Sequence, residues 1–282
     1  MAKPTVTVVA QGAMGSGVAK RLVENGVDVV TSLAGRSASS AERAKAVGMR
    51  AVDEAGLVAA DIILSVLPPS DAKAFAERLA PLLKAAGKKP IFADLNAVSS
   101  ATVEEIAEVI APTGCPFVDG GIVGAPPREG YDGPMIYVSG PHSHSLGALA
   151  KAGLAIRPLD APIGAASALK MSYAAITKGL TALASASILA ADRYGAGEAL
   201  HAELAYSQPG VLKVISRSVP EMFPKAYRFV GEMEEIADHS GRATTSDIYR
   251  GIAALYQELA DDMERGGKGD IAALDRFFKT GG

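Results

Sequence analysis

The first place where this chain could do chemistry is a glycine-bearing turn between an uncharged, β-branched run and a helix. Thr5–Ala10 reads Thr-Val-Thr-Val-Val-Ala and leads into Gln11-Gly12-Ala13-Met14-Gly15-Ser16-Gly17. The pattern approximates G-x-G-x-x-G, with Ala10 at the first position, Gly12 at the second and Gly15 at the third. Gly12 would let backbone approach a pyrophosphate, and Gly15 would let the helix pack closely on its strand. The free N–H groups of the first helical turn, around Ala13 and Met14, would then face the anion. Such a motif gains meaning from its place between a buried strand and a helix, at the head of an alternating β/α series.

The end of the second strand then bears on which dinucleotide. NAD-using folds usually place an Asp or Glu there, about 20 residues past the glycines, to accept from ribose hydroxyls. Here the run is Thr31-Ser32-Leu33-Ala34-Gly35-Arg36-Ser37, and no acid occurs between Val29 and Ala41. Arg36, with Ser32 and Ser37, offers donors to a 2′-phosphate, which a guanidinium fits bidentately. NADP is therefore expected rather than NAD, with a solvated surface arginine as the plain alternative. Asn96 follows another strand and could bond the coenzyme's carboxamide or ribose, or equally serve as a turn or N-cap residue. His142 and His144 form an H-x-H pair in a Pro/Ser loop with no matching Cys, Asp or Glu set, so no metal site is expected.

These residues need a parallel sheet to position them, and the first half of the chain supplies its pattern. Strand-like runs at Thr5–Ala10, Val27–Leu33, Asp61–Leu67 and Pro90–Leu95 alternate with helical runs at Met14–Asn25, Ser39–Val47, Ala72–Ala86 and Ala101–Ile110. Late strands are expected at Pro116–Val118 and Met135–Ser139, around a Gly/Pro-rich loop from Gly120 to Pro134, and a kink is expected at Pro81. After Pro162 the texture becomes helical, and Ala165–Arg193 has one glycine and no proline. Its length corresponds to roughly 43 Å of helix. The expected architecture is an α/β Rossmann domain (1–162) followed by an all-α domain (163–282).

Composition excludes several other classes. Of 282 residues, 49% are hydrophobic and 21% charged, as in ordinary globular chains. A net charge of −3 leaves no electrostatic footprint for nucleic acid or an anionic membrane. The single Cys115 excludes an internal disulfide. No signal peptide is read at the N-terminus, and no apolar stretch is read as reaching the ~20 residues a bilayer needs, so a cytoplasmic address is expected.

Ala10-Gln11-Gly12-Ala13-Met14-Gly15, Ser65-Val66-Leu67-Pro68, and an Asp119 loop followed by a lysine-bearing long helix resemble the β-hydroxyacid dehydrogenase superfamily. Its members include 3-hydroxyisobutyrate and 6-phosphogluconate dehydrogenases. Ala168-Leu169-Lys170-Met171 and Gly231–Ile236 look in particular like 6-phosphogluconate-dehydrogenase-like proteins with a short helical C-terminal domain. The resemblance implies nicotinamide-ribose contacts at Leu67 and Pro68, made largely by backbone. It also implies a substrate loop at Asp119-Gly120-Gly121-Ile122-Val123-Gly124-Ala125, the counterpart of Asp-Ala-Pro-Val-Ser-Gly-Gly. Asp119 and Gly124 match, while Val123 replaces the substrate-contacting Ser. Ile122, Val123 and Gly124 would line the substrate.

The resemblance further makes Lys170 the proton carrier for a hydroxyl or keto oxygen. The family helix reads Lys-Met-Val-His-Asn-Gly-Ile-Glu-Tyr-Gly, and Lys170, Met171, Ile176 and Gly179 coincide with it. Tyr173 replaces the His, Ala174 the Asn, Thr177 the acid-donating Glu and Lys178 the phosphate-binding Tyr. Lys170, Tyr173, Thr177 and Lys178 fall within roughly 140° of helical arc. Tyr173 would relay a proton or bond the substrate oxygen, and Thr177 and Lys178 would contact substrate, Lys178 holding a carboxylate or phosphate. Arg228, Glu232 and Met233 would reach the cleft from the second domain. With Glu and Asn lost, 6-phosphogluconate decarboxylation is not expected. The expected activity is NADP-linked hydride transfer to or from a small 2- or 3-hydroxy acid or its keto form, in a homodimer. The alternatives are an imine or ketoacid-derived reductase and a non-catalytic NADP-binding sensor.

Overall fold

The computed structural model describes residues 3–9, 11–127, 131 and 133–279. The chain forms two compact units, Met1–Met171 and Ser172–Gly282. The first unit runs β1 (Thr5–Val9), α1 (Ala13–Glu24), β2 (Asp28–Thr31), α2 (Ala38–Ala46), β3 (Arg50–Ala51), α3 (Glu54–Val58), β4 (Ile62–Ser65) and α4 (Pro69–Ala85). It continues with β5 (Ile91–Asp94), α5 (Ser100–Ile110), β6 (Phe117–Val123), β7 (Met135–Ser139), α6 (Gly147–Lys151), β8 (Ala155–Pro158) and the first turns of α7 (Ala165–Arg193). The second contains the rest of α7, then α8 (Gly197–Ser207), α9 (Pro209–Met222), α10 (Ala226–His239), α11 (Ala243–Glu264) and α12 (Asp270–Lys279).

The eight strands form one sheet in the order β3-β2-β1-β4-β5-β6-β7-β8. All pairings are parallel except β6 with β7. Strand order reverses between β1 and β4, so the crevice beyond their carboxyl ends is the place this topology offers a ligand. Period-2 geometry explains the β-branched runs. Val6 and Val8 of β1, with Ile62 and Leu64 of β4, enter one apolar layer with Val18, Leu22 and Val138. Val9 and Ile63 enter the opposite layer with Phe92, Leu79 and Ile106. Both faces are covered, so neither set of positions can be polar without a partner.

Several element readings shift. Gly120 and Gly121, expected in a loop, lie inside β6, paired with Val138 and Tyr137. They are glycines because neighbours crowd their Cα atoms: a Cβ on Gly120 would sit 2.3 Å from a Leu95 methyl, and one on Gly121 2.7 Å from the Ala166 carbonyl oxygen. α4 begins at Pro69, a favoured first position, and is one helix through Pro81. The two-residue β3 and the exposed β8 carry no pattern long enough to read. The expected strand end at Ala10 and part of the loop before Pro134 lie outside the described residues.

α7 is the element that bears on the bilayer expectation. An 18-residue stretch of it has mean hydropathy 1.4, enough by length and composition to cross a membrane. Its many Ala residues raise that mean without the bulky side chains that catch the eye. Texture changes at Pro162, whereas the units divide at Met171, because the first turns of α7 are bonded into the sheet through Asp119, as described below. In the second unit α10 packs along α11. Met233, Ile236 and Ala237 on one helix, and Ala253, Tyr256 and Leu259 on the other, are buried.

Candidate active site

Gly12 is the N-cap of α1, in extended conformation and with no side-chain cap. Nothing lies within 4 Å of where its Cβ would be. Among the described residues no side chain caps the start of α1, and the space beside Gly12 is open, the arrangement an anion needs. Ala13 is exposed, Met14 packs on the sheet core and Gly15 is buried. Gly17, which sequence reasoning gave no role, is also constrained: a Cβ there would meet Pro127 Cδ at 2.7 Å.

Two further residues missed in the sequence organise the end of β2. The Gln11 Nε2 donates to Thr31 Oγ1 and to the Ser32 carbonyl, the latter at 3.0 Å, while Thr31 Oγ1 donates to the Val8 carbonyl. Gln11 Oε1 is buried without a donor among the described residues. Arg43 donates from Nε to the Gln11 carbonyl at 2.7 Å and from Nη2 to Ser40 Oγ at 3.1 Å. Ser37 caps α2 by accepting from the Ser40 amide, and its hydroxyl also meets Ser39 and Ser40. Ser32 Oγ accepts from the Ala34 amide. Arg36 is exposed, and among the described residues no carboxylate pairs with it. The only signal in the sequence for Arg43 was its spacing, two helical turns beyond Arg36. Open space at Gly12 and uncapped amides on α1 fit a dinucleotide.

At the ends of β4 and β5, Leu67 and Asn96 are buried. Asn96 spends one Nδ2 hydrogen on Asp94 at 2.7 Å and the other on Ser65 Oγ at 2.9 Å, while its Oδ1 accepts from the Leu67 amide. Of the two roles open in the sequence, the side chain fills the turn role. Its two donors are committed internally, so the expected bond from its amide to a carboxamide or ribose is replaced by one that positions the Leu67-Pro68 backbone.

β6 and α7 are joined by Asp119. Its fully buried carboxylate accepts from Ser139 Oγ, from the amides of Gly164, Ala166 and Ser167, and from Ser167 Oγ. A carboxylate on the amides that open a helix satisfies groups with no internal partner and complements the helix dipole. One turn on, the half-buried Lys170 lies against β6: a Cβ on Gly121 would be 2.8 Å from the Lys170 Cβ. Ile122 is buried and Val123 half-buried at the end of that strand. Gly124 has φ of +126°, which a side chain would strain, and a Cβ there would lie 2.6 Å from the Tyr131 hydroxyl. Lys170 and the segment Ile122–Gly124 therefore occupy one neighbourhood of the first unit.

The remaining expected contacts lie in the second unit. Tyr173 is half exposed, and Thr177 is exposed with its hydroxyl donating to the Tyr173 carbonyl at 3.0 Å. Lys178 is ion-paired with Glu232, both side chains 17% exposed, and its ammonium lies 4.3 Å from the Phe229 ring centroid. Tyr256 donates to the Lys178 carbonyl at 2.6 Å. The expected anion-holding Lys178 is thus corrected to a lysine neutralised within its own unit, and Glu232 is its partner. Arg228 is exposed, and Met233 is core. His144 meets Asp160 at 3.2 Å at the surface, and no group of three or more metal-ligating side chains occurs among the described residues.

Residues 5–152 match the family model described as the NAD binding domain of 6-phosphogluconate dehydrogenase, and residues 191–259 match a domain of unknown function (DUF1932). A curated relative, an uncharacterised 28.5 kDa protein of Methanothermus fervidus, is 31% identical over 159 residues, which is 56% of this chain and 59% of the relative. Among solved structures, a conserved protein of unknown function, described as similar to 3-hydroxyacid dehydrogenases, superposes with a TM-score of 0.73 at 28% identity, covering 93% of this chain and 99% of its own. Mycobacterium tuberculosis 3-hydroxyisobutyrate dehydrogenase gives a TM-score of 0.68 at 16% identity, with 98% and 99% covered. An imine reductase from Myxococcus stipitatus in complex with NADP+ gives 0.56 at 22% identity, with 97% and 99% covered. These last two share the fold.

Proposed function

The chain belongs to the β-hydroxyacid dehydrogenase superfamily, and from that premise we propose that it is an NADP-linked oxidoreductase of a small 2- or 3-hydroxy acid or its keto form. The observation that carries the reading is the attachment of Lys170. Asp119 pins the start of α7 to β6, and the missing side chain at Gly121 brings Lys170 against the strand that ends in Ile122-Val123-Gly124. Nicotinamide, when bound, supplies the hydride chemistry. Neutral Lys170 accepts the hydroxyl proton as the substrate carbon is oxidised, and its ammonium returns the proton in reduction. The amides of the Gly12 turn hold pyrophosphate, and Arg36 with Ser37 holds the 2′-phosphate. Tyr173, three residues beyond Lys170 in the sequence of α7, is the further candidate for a hydrogen bond to the substrate oxygen.

Lys170→Ala is expected to lower turnover at least a hundredfold, the scale of one general acid–base group, while NADPH affinity changes little. Turnover at the wild-type rate would remove Lys170 as proton carrier. Val123, apolar where the family loop carries a hydroxyl, favours a second reading: reduction of an imine on the same scaffold, which the likeness to imine reductases also supports. Following NADPH absorbance with keto acids, imines and hydroxy acids separates the two. Tight NADPH binding with no turnover across that panel would favour a coenzyme sensor instead.

A further inference from the structure

Two carboxylates lie side by side in the sheet. Asp94, ending β5, is in register with Asp119 of β6, and both are buried. Asp119 is accounted for by the donors at the start of α7. Asp94 has a separate set: one oxygen accepts from the Asn96 amide at 3.1 Å, the other from Asn96 Nδ2 at 2.7 Å. A carboxylate only accepts, whereas a side-chain amide has one donating and one accepting end. Asp94 therefore turns the NH2 end of Asn96 toward itself and leaves Oδ1 for the Leu67 amide.

We propose that Asp94 is a positioning residue for the coenzyme: its carboxylate orients Asn96, Asn96 holds the Leu67 N–H, and a proton gained by Asp94 loosens the Leu67-Pro68 backbone on which the nicotinamide ribose is seated. The proposal rests on the coenzyme reading above. Protonation turns an oxygen that accepts from an Asn96 donor into a hydroxyl, a poorer acceptor, so one of the two bonds is weakened. Burial pushes the Asp94 carboxyl up to about 7; the bonds from Asn96 oppose the rise and the charge of Asp119 adds to it. Asp119 is the charged group that bears on Asp94, and the side chains of Ser65 and Asn96 beside it are neutral. Asp94 is ionised above that range and protonated below it, so the seat is ordered at the alkaline end.

The test titrates the full chain with NADPH, followed by coenzyme fluorescence, between about pH 5.5 and 8.5. NADH is run in parallel because it lacks the 2′-phosphate, which itself titrates near pH 6. For both coenzymes Kd is expected to rise about fivefold as pH falls through the neutral range, the scale of one hydrogen bond. Asp94→Asn is expected to bind about fivefold more weakly at alkaline pH, with a flat profile. Asn96→Ala, which breaks the relay but leaves Asp94, gives the same flat profile and serves if the first variant does not fold. A pH-independent wild-type Kd for NADH, or a folded variant that retains the wild-type pH dependence, overturns the proposal and leaves the coenzyme assignment standing. Failure of both coenzymes to bind at any pH overturns that assignment as well.

Discussion

Arg36 and Arg43 flank the serines that begin α2, yet their guanidiniums are in different situations. Arg43 is spent on the Gln11 carbonyl and Ser40, and so ties the glycine turn to the neighbouring helix. Arg36 is exposed and has no carboxylate partner among the described residues, which leaves its fork for a phosphate. Arg36→Ala is expected to raise the Kd for NADPH tenfold or more, the scale of a charge-assisted hydrogen bond of roughly 1.5–3 kcal/mol, and to change NADH little. Fluorescence titration with both coenzymes checks this, and an equal loss for the two would overturn the NADP preference. Lys178 shows the converse case. Residue type alone suggests an anion site there, but Glu232 already neutralises the charge.

At the scale of elements, the contact between β6 and α7 combines a capping carboxylate and a glycine. Asp119 satisfies amides that no residue of α7 can, and Gly121 admits the helix to contact distance. Replacing Gly121 by Ala puts a methyl 2.7 Å from the Ala166 carbonyl oxygen and 2.8 Å from the Lys170 Cβ, so backbone must move. Overpacking of this kind costs roughly 1–3 kcal/mol. Denaturant unfolding of Gly121→Ala should show that loss, and turnover should fall further than NADPH affinity because Lys170 is displaced. Wild-type stability together with wild-type turnover would mean that the close approach does not set the lysine.

For the whole molecule, a homodimer remains the expected assembly. Ile176 is 71% and Leu183 65% exposed in the single chain, with Tyr173 and Leu180 at the same three-to-four spacing along α7. Leu183→Asp is expected to convert a dimer into monomer by light scattering, and an unchanged dimer mass would exclude this stripe as the interface. Much of the first unit was legible from local pattern. β-branched runs buried on two faces and glycines between strand and helix are short-range signals, and they determined the Rossmann order and the strand–glycine–helix turn. The serine cap of α2 and the helical texture beyond Pro162 belong to the same category. What the fold alone decided are pairings between residues far apart in the chain. Gly120 and Gly121 read as loop because their crowding comes from Leu95 and Ala166. Asn96 reads equally as a ligand-facing amide or a turn residue because Ser65 and Leu67 are distant in sequence. Lys178 reads as a free cation because Glu232 lies 54 positions on. Periodicity reports which face of an element is apolar, but a partner for a buried charge or amide is supplied by whichever strand or helix the topology sets beside it.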